Sequence, residues 1–411
     1  MPFSIIMPNE SILKKLNNPF TWQEFLIDRL DKGFLSKKEY GSLEKFVIQE
    51  NFNNAALNII KGGELPLPEK RLLNKLGSTK KRVVYCFPED FANCLKLLSW
   101  LILEKYDSAQ PQGCYSFRKG YGAQRALRTL MAVNGIGGMW CYKVDIKDYF
   151  NSIDVKLLMP IMKSLMSDDE LLICFLERLL LIKEVFQGAD NQLVSDEHHG
   201  VMAGSATSAF LANIYLCELD EYFTSRCIPY ARYSDDIVVF AKEKSDIEEY
   251  KNIIQTILAK YHLNVNTDKE KLTAPGEKWE FLGFSYLNGI IDLSDATKEK
   301  IKGKIRRKAR SLRRWALRKE VSPNQSIKTM IKVFDKKFFS KDNNDEITWS
   351  RWFFPVINTD KGLHEIDSYL QQYLRYLSTG SFGKKNYKLS YKSLKDLGYR
   401  CLVNEYHSGN N

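Results

Sequence analysis

Residues Tyr230–Phe240 read Tyr-Ala-Arg-Tyr-Ser-Asp-Asp-Ile-Val-Val-Phe. β-Branched and aromatic residues flank two adjacent acids, Asp235 and Asp236, a pattern that predicts a hairpin with Ser234 and Asp235 at its bend. Such a bend pushes acids out of the sheet. Beside a third carboxylate from another strand, they could hold two divalent cations at the spacing used for in-line phosphoryl transfer. Alone, Tyr233-Ser234-Asp235-Asp236 reads more simply as a solvated turn whose acids accept from their own backbone. Its meaning depends on the rest of the chain.

A third acid stands about ninety residues upstream, in Cys141-Tyr142-Lys143-Val144-Asp145-Ile146-Lys147-Asp148-Tyr149-Phe150. Alternation puts Tyr142, Val144 and Ile146 on one face of a strand and Lys143, Asp145 and Lys147 on the other. An acid within an apolar strand is costly unless paired or ligated. Between the two acidic segments, Gly200-Val201-Met202-Ala203-Gly204-Ser205-Ala206-Thr207-Ser208 opens a long helix from Ala209 to about Phe223. Small residues there allow either a close approach to an anionic ligand or a tight contact between helix and strand.

The 411 residues are 44% apolar and 12% aromatic, enough for a large core and two or three lobes. Eight scattered cysteines without a Cys-x-x-Cys, and five histidines with one close pair, predict reduced thiols and argue against a zinc site or disulfide framework. No basic-then-apolar leader opens the sequence, and its most apolar run, Leu97 to Leu103, is too short to span a bilayer. A cytoplasmic location away from membranes is expected. Between Lys298 and Lys319 twelve bases meet one acid, whereas 49 bases meet 49 acids elsewhere. That one segment carries the whole formal charge of +11, as expected of a polyanion-binding helix.

The remaining sequence frames these pieces. Residues 1–64 read as helices opened by capping boxes at Thr21–Glu24 and Ser36–Glu39, and end at Gly62-Gly63 with Pro66 and Pro68 following. Lys80-Lys81-Arg82 runs into a strand, and a helix follows from about Glu89 to Glu104. Cys114–Gly122 interleaves aromatics, Arg118 and Lys119 with glycine, which suits either a nucleotide surface or a solvated loop. Residues 155–186 read as two helices, 245–262 as another, and 285–296 as a hairpin around Asn288-Gly289.

In order and spacing, these segments resemble the motifs of reverse transcriptases, firmly over residues 65–300 and loosely beyond. The resemblance is to bacterial enzymes related to group II intron, retron and defence-associated reverse transcriptases. The Asp145 strand looks like motif A, the loop from Gly200 to Ser208 like motif B, and Tyr-Ser-Asp-Asp like motif C. Asn266 to Lys269 looks like motif D, and Phe281-Leu282-Gly283-Phe284 like the motif E primer grip. The resemblance implies an α+β right-hand polymerase fold. Its parts would be an N-terminal helical extension (1–64), fingers (65–140), a palm (141–293) with a helical insertion at about 155–198, and a basic helical thumb (294–411) facing the template–primer duplex.

The implied chemistry is RNA-directed DNA synthesis with two Mg²⁺ ions, Mn²⁺ being a possible substitute. Asp145 and Asp235 would ligate both ions and Asp236 would complete the first site, with Ile146 in the metal set. Lys269 would protonate the departing pyrophosphate. Arg82 and Arg118, with Lys81 and Lys119 as further candidates, would clamp the triphosphate, and Asp148, Gly204 and Ser205 would line the nucleotide site. Phe150, five places after Asp145, would exclude a ribose 2′-hydroxyl and so select dNTPs. The implied partners are an RNA template and a DNA product.

Motif B departs from the family pattern, since Met202-Ala203 stands where Pro-Gln is usual, and the retron signatures Asn-Ala-x-x-His and Val-Thr-Gly are missing. The chain looks most like a defence-associated reverse transcriptase of the uncharacterised bacterial groups, and that resemblance implies a dedicated non-coding RNA as partner. Two alternatives stay open: an RNA-binding scaffold with a polymerase fold, and a polymerase with little template dependence.

Overall fold

The computed structural model describes residues 10–32, 35, 37–74, 81–188, 190–196, 199–340 and 348–409. Two compact units emerge, one formed by residues up to 134 together with 139–272, the other by 135–138 and the chain from 273 onward.

The first unit begins with helices packed around Trp22, which is fully buried, stacks on Phe52 at 5.1 Å and donates its indole N–H to Leu16 O at 2.8 Å. Its helix Pro19–Lys32 starts two residues before the expected cap at Thr21. Proline suits the first helical position because its ring presets φ and its missing N–H needs no partner, and Asn18 Oδ1 accepts from Phe20 N–H at 2.9 Å. The expected cap at Ser36 and the base Lys80 lie outside the described residues.

Two sheets follow. In the first, Lys81–Cys86 pairs antiparallel with Glu69–Asn74, which pairs parallel with Glu184–Gln187, and Gln192–Ser195 closes the other edge. This corrects the expected all-helical insertion: Val155–Leu165 and Glu170–Leu180 are helices, but the chain then turns back through Gly188 (φ 84°) and Asn191 (φ 48°) as a hairpin. Val185 is fully buried there while Glu184 is exposed, the alternation of a half-covered strand.

The second sheet has the order Tyr230–Tyr233, Asp236–Ala241, Trp140–Asp145, Lys271–Thr273. Ile237, Val238, Val239 and Phe240 are all fully buried, so both faces of the central strand are covered. Helix Lys244–Lys260 packs on one of them. The expected long helix after residue 208 is two, Ser208–Tyr215 and Cys217–Ser225, broken at Leu216.

The second unit opens with a three-stranded sheet, Trp279–Phe281, Phe284–Leu287 and Ile290–Leu293, whose expected turn falls on Asn288 and Gly289, both at positive φ. Phe284 packs on Phe353 with ring centroids 5.1 Å apart, and Asp292 accepts from Gly362 N–H at 3.1 Å. These contacts put the compact break after residue 272, upstream of the boundary expected at 293. Helix Asp295–Lys319 is capped by Ser294, which accepts from Thr297 N–H, and buries Ile301, Ile305, Ala309, Leu312 and Ala316 against Pro323–Phe339 and Lys361–Thr379. Among the described residues no helix is long and apolar enough to cross a membrane.

Candidate active site

Antiparallel pairing sets the acids. Asp145 lies opposite Asp236, the last residue of one strand facing the first of the next, and the turn between Tyr233 and Asp236 holds Ser234 and Asp235. Ser234 adopts φ 60°, the left-handed conformation the tight bend needs. Ile146 N–H donates to Asp235 O at 2.9 Å, tying the turn to the strand of Asp145.

A buried polar cluster that sequence reasoning misses holds the turn from behind. Ser116 Oγ accepts from Ser234 N–H at 2.9 Å and donates to Asn213 Oδ1 at 2.9 Å. Arg232 Nη1 donates to Ser234 O at 3.3 Å, so both backbone polar groups of Ser234 are engaged. Its Nε and Nη2 reach Asp220 at 2.8 and 2.5 Å, and Nη2 also reaches Asn213 O at 2.9 Å. Arg232 and Asp220 are both fully buried. Burial opposes the charge on Arg232, but the charge and hydrogen bond of Asp220, together with Cys114 and Tyr149, hold the guanidinium well above its usual range. At the helix break the Asn213 carbonyl accepts from Leu216 N–H at 3.3 Å as well as from Arg232. A signal was present in the sequence, an arginine inside an apolar strand and an acid on an apolar helix face, but nothing there pairs them.

The three acids are unequally compensated. Asp145 Oδ1 pairs with Lys269 Nζ at 2.6 Å and Oδ2 accepts from Asn266 Nδ2 at 3.1 Å, while Asp145 O accepts from Asn266 N–H at 2.7 Å. Burial, then the charge of Asp145, pushes the Asp235 carboxyl above its usual range, with Lys269 and Arg82 pulling it back in part. Burial lifts Asp236 as well; Lys143, at 3.4 Å, lowers it while Asp145 and Asp235 raise it. Among the described residues no three acid, His or Cys side chains already converge as a metal cage. The Asp145 carboxylate is turned to Lys269 and Asn266, and that of Asp236 to Lys143. The donor set nonetheless fits Mg²⁺ or Mn²⁺: hard carboxylate oxygens whose mutual repulsion a divalent cation relieves.

The other expected site residues divide. Arg82 is exposed and close enough to Asp235 to lower its pKa. Arg118 is a correction: it is buried, bonds Asp107 at 3.0 Å and the carbonyls of Pro111, Cys114, Gln110 and Asp107, and stacks on Tyr121. Its donors clip its own loop and none is left for a triphosphate. Lys81 is exposed, and Lys119 pairs with Glu104 at 2.9 Å. Phe150 is half-buried, its ring edge-to-face with Phe117 at 6.2 Å, and Phe117 in turn lies 6.3 Å from Tyr233.

Asp148 adopts φ 48° and accepts from Asn151 Nδ2 at 2.9 Å. The glycines of the 200–208 loop serve close protein contacts. A Cβ on Gly200 would lie 2.0 Å from Phe150 O, and one on Gly204 2.9 Å from Tyr85 O. Val201 N–H donates to Phe150 O at 3.0 Å, so this loop fixes the backbone of Phe150. Ser205 Oγ lies 3.2 Å from Thr207 Oγ1, and Ile146 is buried at 1% exposure.

Residues 73–286 match the family described as reverse transcriptase (RNA-dependent DNA polymerase). Protein YkfC of Escherichia coli (strain K12) is 25% identical over 209 residues, 41% of this chain and 53% of that protein. The chain thus spans about half the length of the curated relative it matches. Among solved structures, apo telomerase from Candida tropicalis superposes with a TM-score of 0.47 at 11% identity, covering 86% of this chain and 64% of that one. Telomerase from Candida albicans in complex with a fragment of telomeric RNA gives 0.45 at 12% identity, over 90% and 71%. With more than half of its length matched, the chain belongs to the reverse transcriptase (RNA-dependent DNA polymerase) family.

Proposed function

We propose that this chain is an RNA-directed DNA polymerase that extends a DNA 3′ end with dNTPs on an RNA template. The observation that carries the reading is the in-register pairing of Asp145 with Asp236, with Asp235 at the adjoining bend. That register brings three acidic residues, two on neighbouring strands and one at the bend between strands, to the same end of the sheet. Asp145, Asp235 and Asp236 would hold two Mg²⁺ ions, which supply a lowered pKa for the primer hydroxyl and positive charge at the pyrophosphate.

The chain's own residues do the rest. Arg82 binds the triphosphate, Phe150 excludes the 2′-hydroxyl, and Lys269 delivers a proton to the leaving oxygen after exchanging Asp145 for the nucleotide. Residues 65–140 serve as fingers, 141–293 as palm and 294–411 as a nucleic-acid-binding thumb. The reading extends to a structured non-coding RNA as template in a cytoplasmic anti-phage system, supported by the departure at Met202-Ala203 and by resemblance alone.

Primer extension on an RNA template with Mg²⁺ and dNTPs tests it. Template-dictated DNA is expected, lost on Asp235→Ala with RNA binding kept. Wild-type protein that binds RNA but never extends would show a scaffold instead, and addition of one or two bases whatever the template would show a template-independent enzyme.

A further inference from the structure

The charge excess is not spread evenly along helix Asp295–Lys319. Its first turns are neutralised, Lys298 pairing with Asp295 and Glu365 at 3.0 Å each and Lys302 with Glu299 and Glu365. From Arg306 to Lys319 there are eight bases and no acid. Arg306, Arg307, Arg310, Arg314 and Arg318 are exposed and have no acidic partner among the described residues.

Arg306, Arg310 and Arg313 fall at offsets of four and seven, hence on one helix face. The neighbouring helix Lys361–Thr379 carries Tyr369, Tyr373 and Tyr376 at the same offsets, with successive rings 5.0 and 5.9 Å apart. The two series run in step. Lys302 Nζ lies 5.7 Å from the Tyr369 ring, the charges of Arg306 and Arg310 reach Tyr373, and Arg313 donates to Leu377 O at 3.3 Å. Past Gly380 (φ 76°), the rings end at Phe382, stacked on Tyr376 at 4.9 Å and 15° between planes yet 57% exposed.

A phenylalanine fixed by ring contacts on one side and open to water on the other is a preformed stacking platform. Tyr373, which the charges of Arg306 and Arg310 reach, lies edge-to-face with the Phe382 ring at 5.1 Å. Phosphates suit the arginines, and a base plane suits the ring only if that base is not already enclosed in a duplex. We propose that this face binds an unpaired polynucleotide strand, its phosphates along Arg306 and Arg310 and one base stacked on Phe382. It deepens the polymerase reading and rests on it only for the choice of nucleic acid as occupant.

Fluorescence anisotropy on the full chain, with chelator and without nucleotides, tests this with three probes: a short unpaired RNA, the DNA of the same sequence, and a blunt RNA duplex. Phe382→Ala is expected to weaken unpaired-strand binding about ten-fold with an unchanged salt slope and unchanged duplex affinity, and Phe382→Trp to retain it. Arg306→Gln with Arg310→Gln is expected to lower the slope of log affinity against log salt by about 1.4. A loss confined to the RNA probe assigns the strand to template, one confined to DNA assigns it to product, and equal losses assign the shared chemistry. Unchanged affinity in Phe382→Ala, or an equal loss for the duplex, overturns the proposal. Because no chemistry is measured, a protein that binds in this way but never extends a primer overturns the polymerase reading and leaves this one standing.

Discussion

Phe150 is held by its backbone as much as by its ring. Val201 N–H bonds its carbonyl, and Gly200 packs so closely that any side chain there would collide with it. A sugar gate needs such rigidity, since a mobile ring would yield to a hydroxyl. Phe150→Ala is expected to raise ribonucleotide incorporation about ten-fold or more, read as the dNTP:rNTP preference in single-nucleotide extension; an unchanged preference removes Phe150 from that role. Asp235 lends itself to a stability measurement. Its raised pKa means the folded state holds the proton more tightly than the unfolded chain, so stability falls as pH rises from the ordinary aspartate range through the folded value and stays lower above it. Asp235→Asn removes that penalty, so a Tm above that of the wild type is expected at pH 7, with the gain vanishing near pH 3. Wild-type protein, not this variant, should gain further on adding Mg²⁺. Equal gains at both pH values would contradict the electrostatic origin.

At the scale of elements, the acidic hairpin was legible because period-two alternation and an acid pair at a bend are local signals. Its support was not. Ser116, Asn213, Asp220 and Arg232 come from four separate segments, and only folding brings them behind Ser234. The strands Glu184–Gln187 and Gln192–Ser195 were missed for a related reason: each has four residues, and the sheet they join is built on Glu69–Asn74, far away in sequence. The loop at residues 200–208 invited an anion-binding reading, but its glycines at 200 and 204 are explained by contacts to Phe150 and Tyr85. Breaking the Arg232–Asp220 pair from one side leaves a buried charge. Arg232→Leu is expected to cost about 3–5 kcal/mol in chemical denaturation, and Arg232→Leu with Asp220→Leu less than the single change. A double variant as damaged as the sum of the singles would show the pair to be uncoupled.

Across the whole molecule, two properties are legible in the amino-acid sequence, the ordered motifs and the confinement of the net charge to one helix. The division into units is not, because the strands between residues 279 and 293 belong by packing to the helices that follow them rather than to the sheet that precedes them. The proposed nucleotidyl transfer rests on one central claim, that Asp145, Asp235 and Asp236 act as one site. The most direct test is single-turnover addition of one dNTP to a primer on an RNA template, comparing wild type with Asp145→Asn and Asp235→Asn at equal RNA occupancy. The expected result is measurable addition by wild type, and a loss of about a thousand-fold or more in either variant with RNA affinity unchanged. Addition by either variant at the wild-type rate would contradict the account.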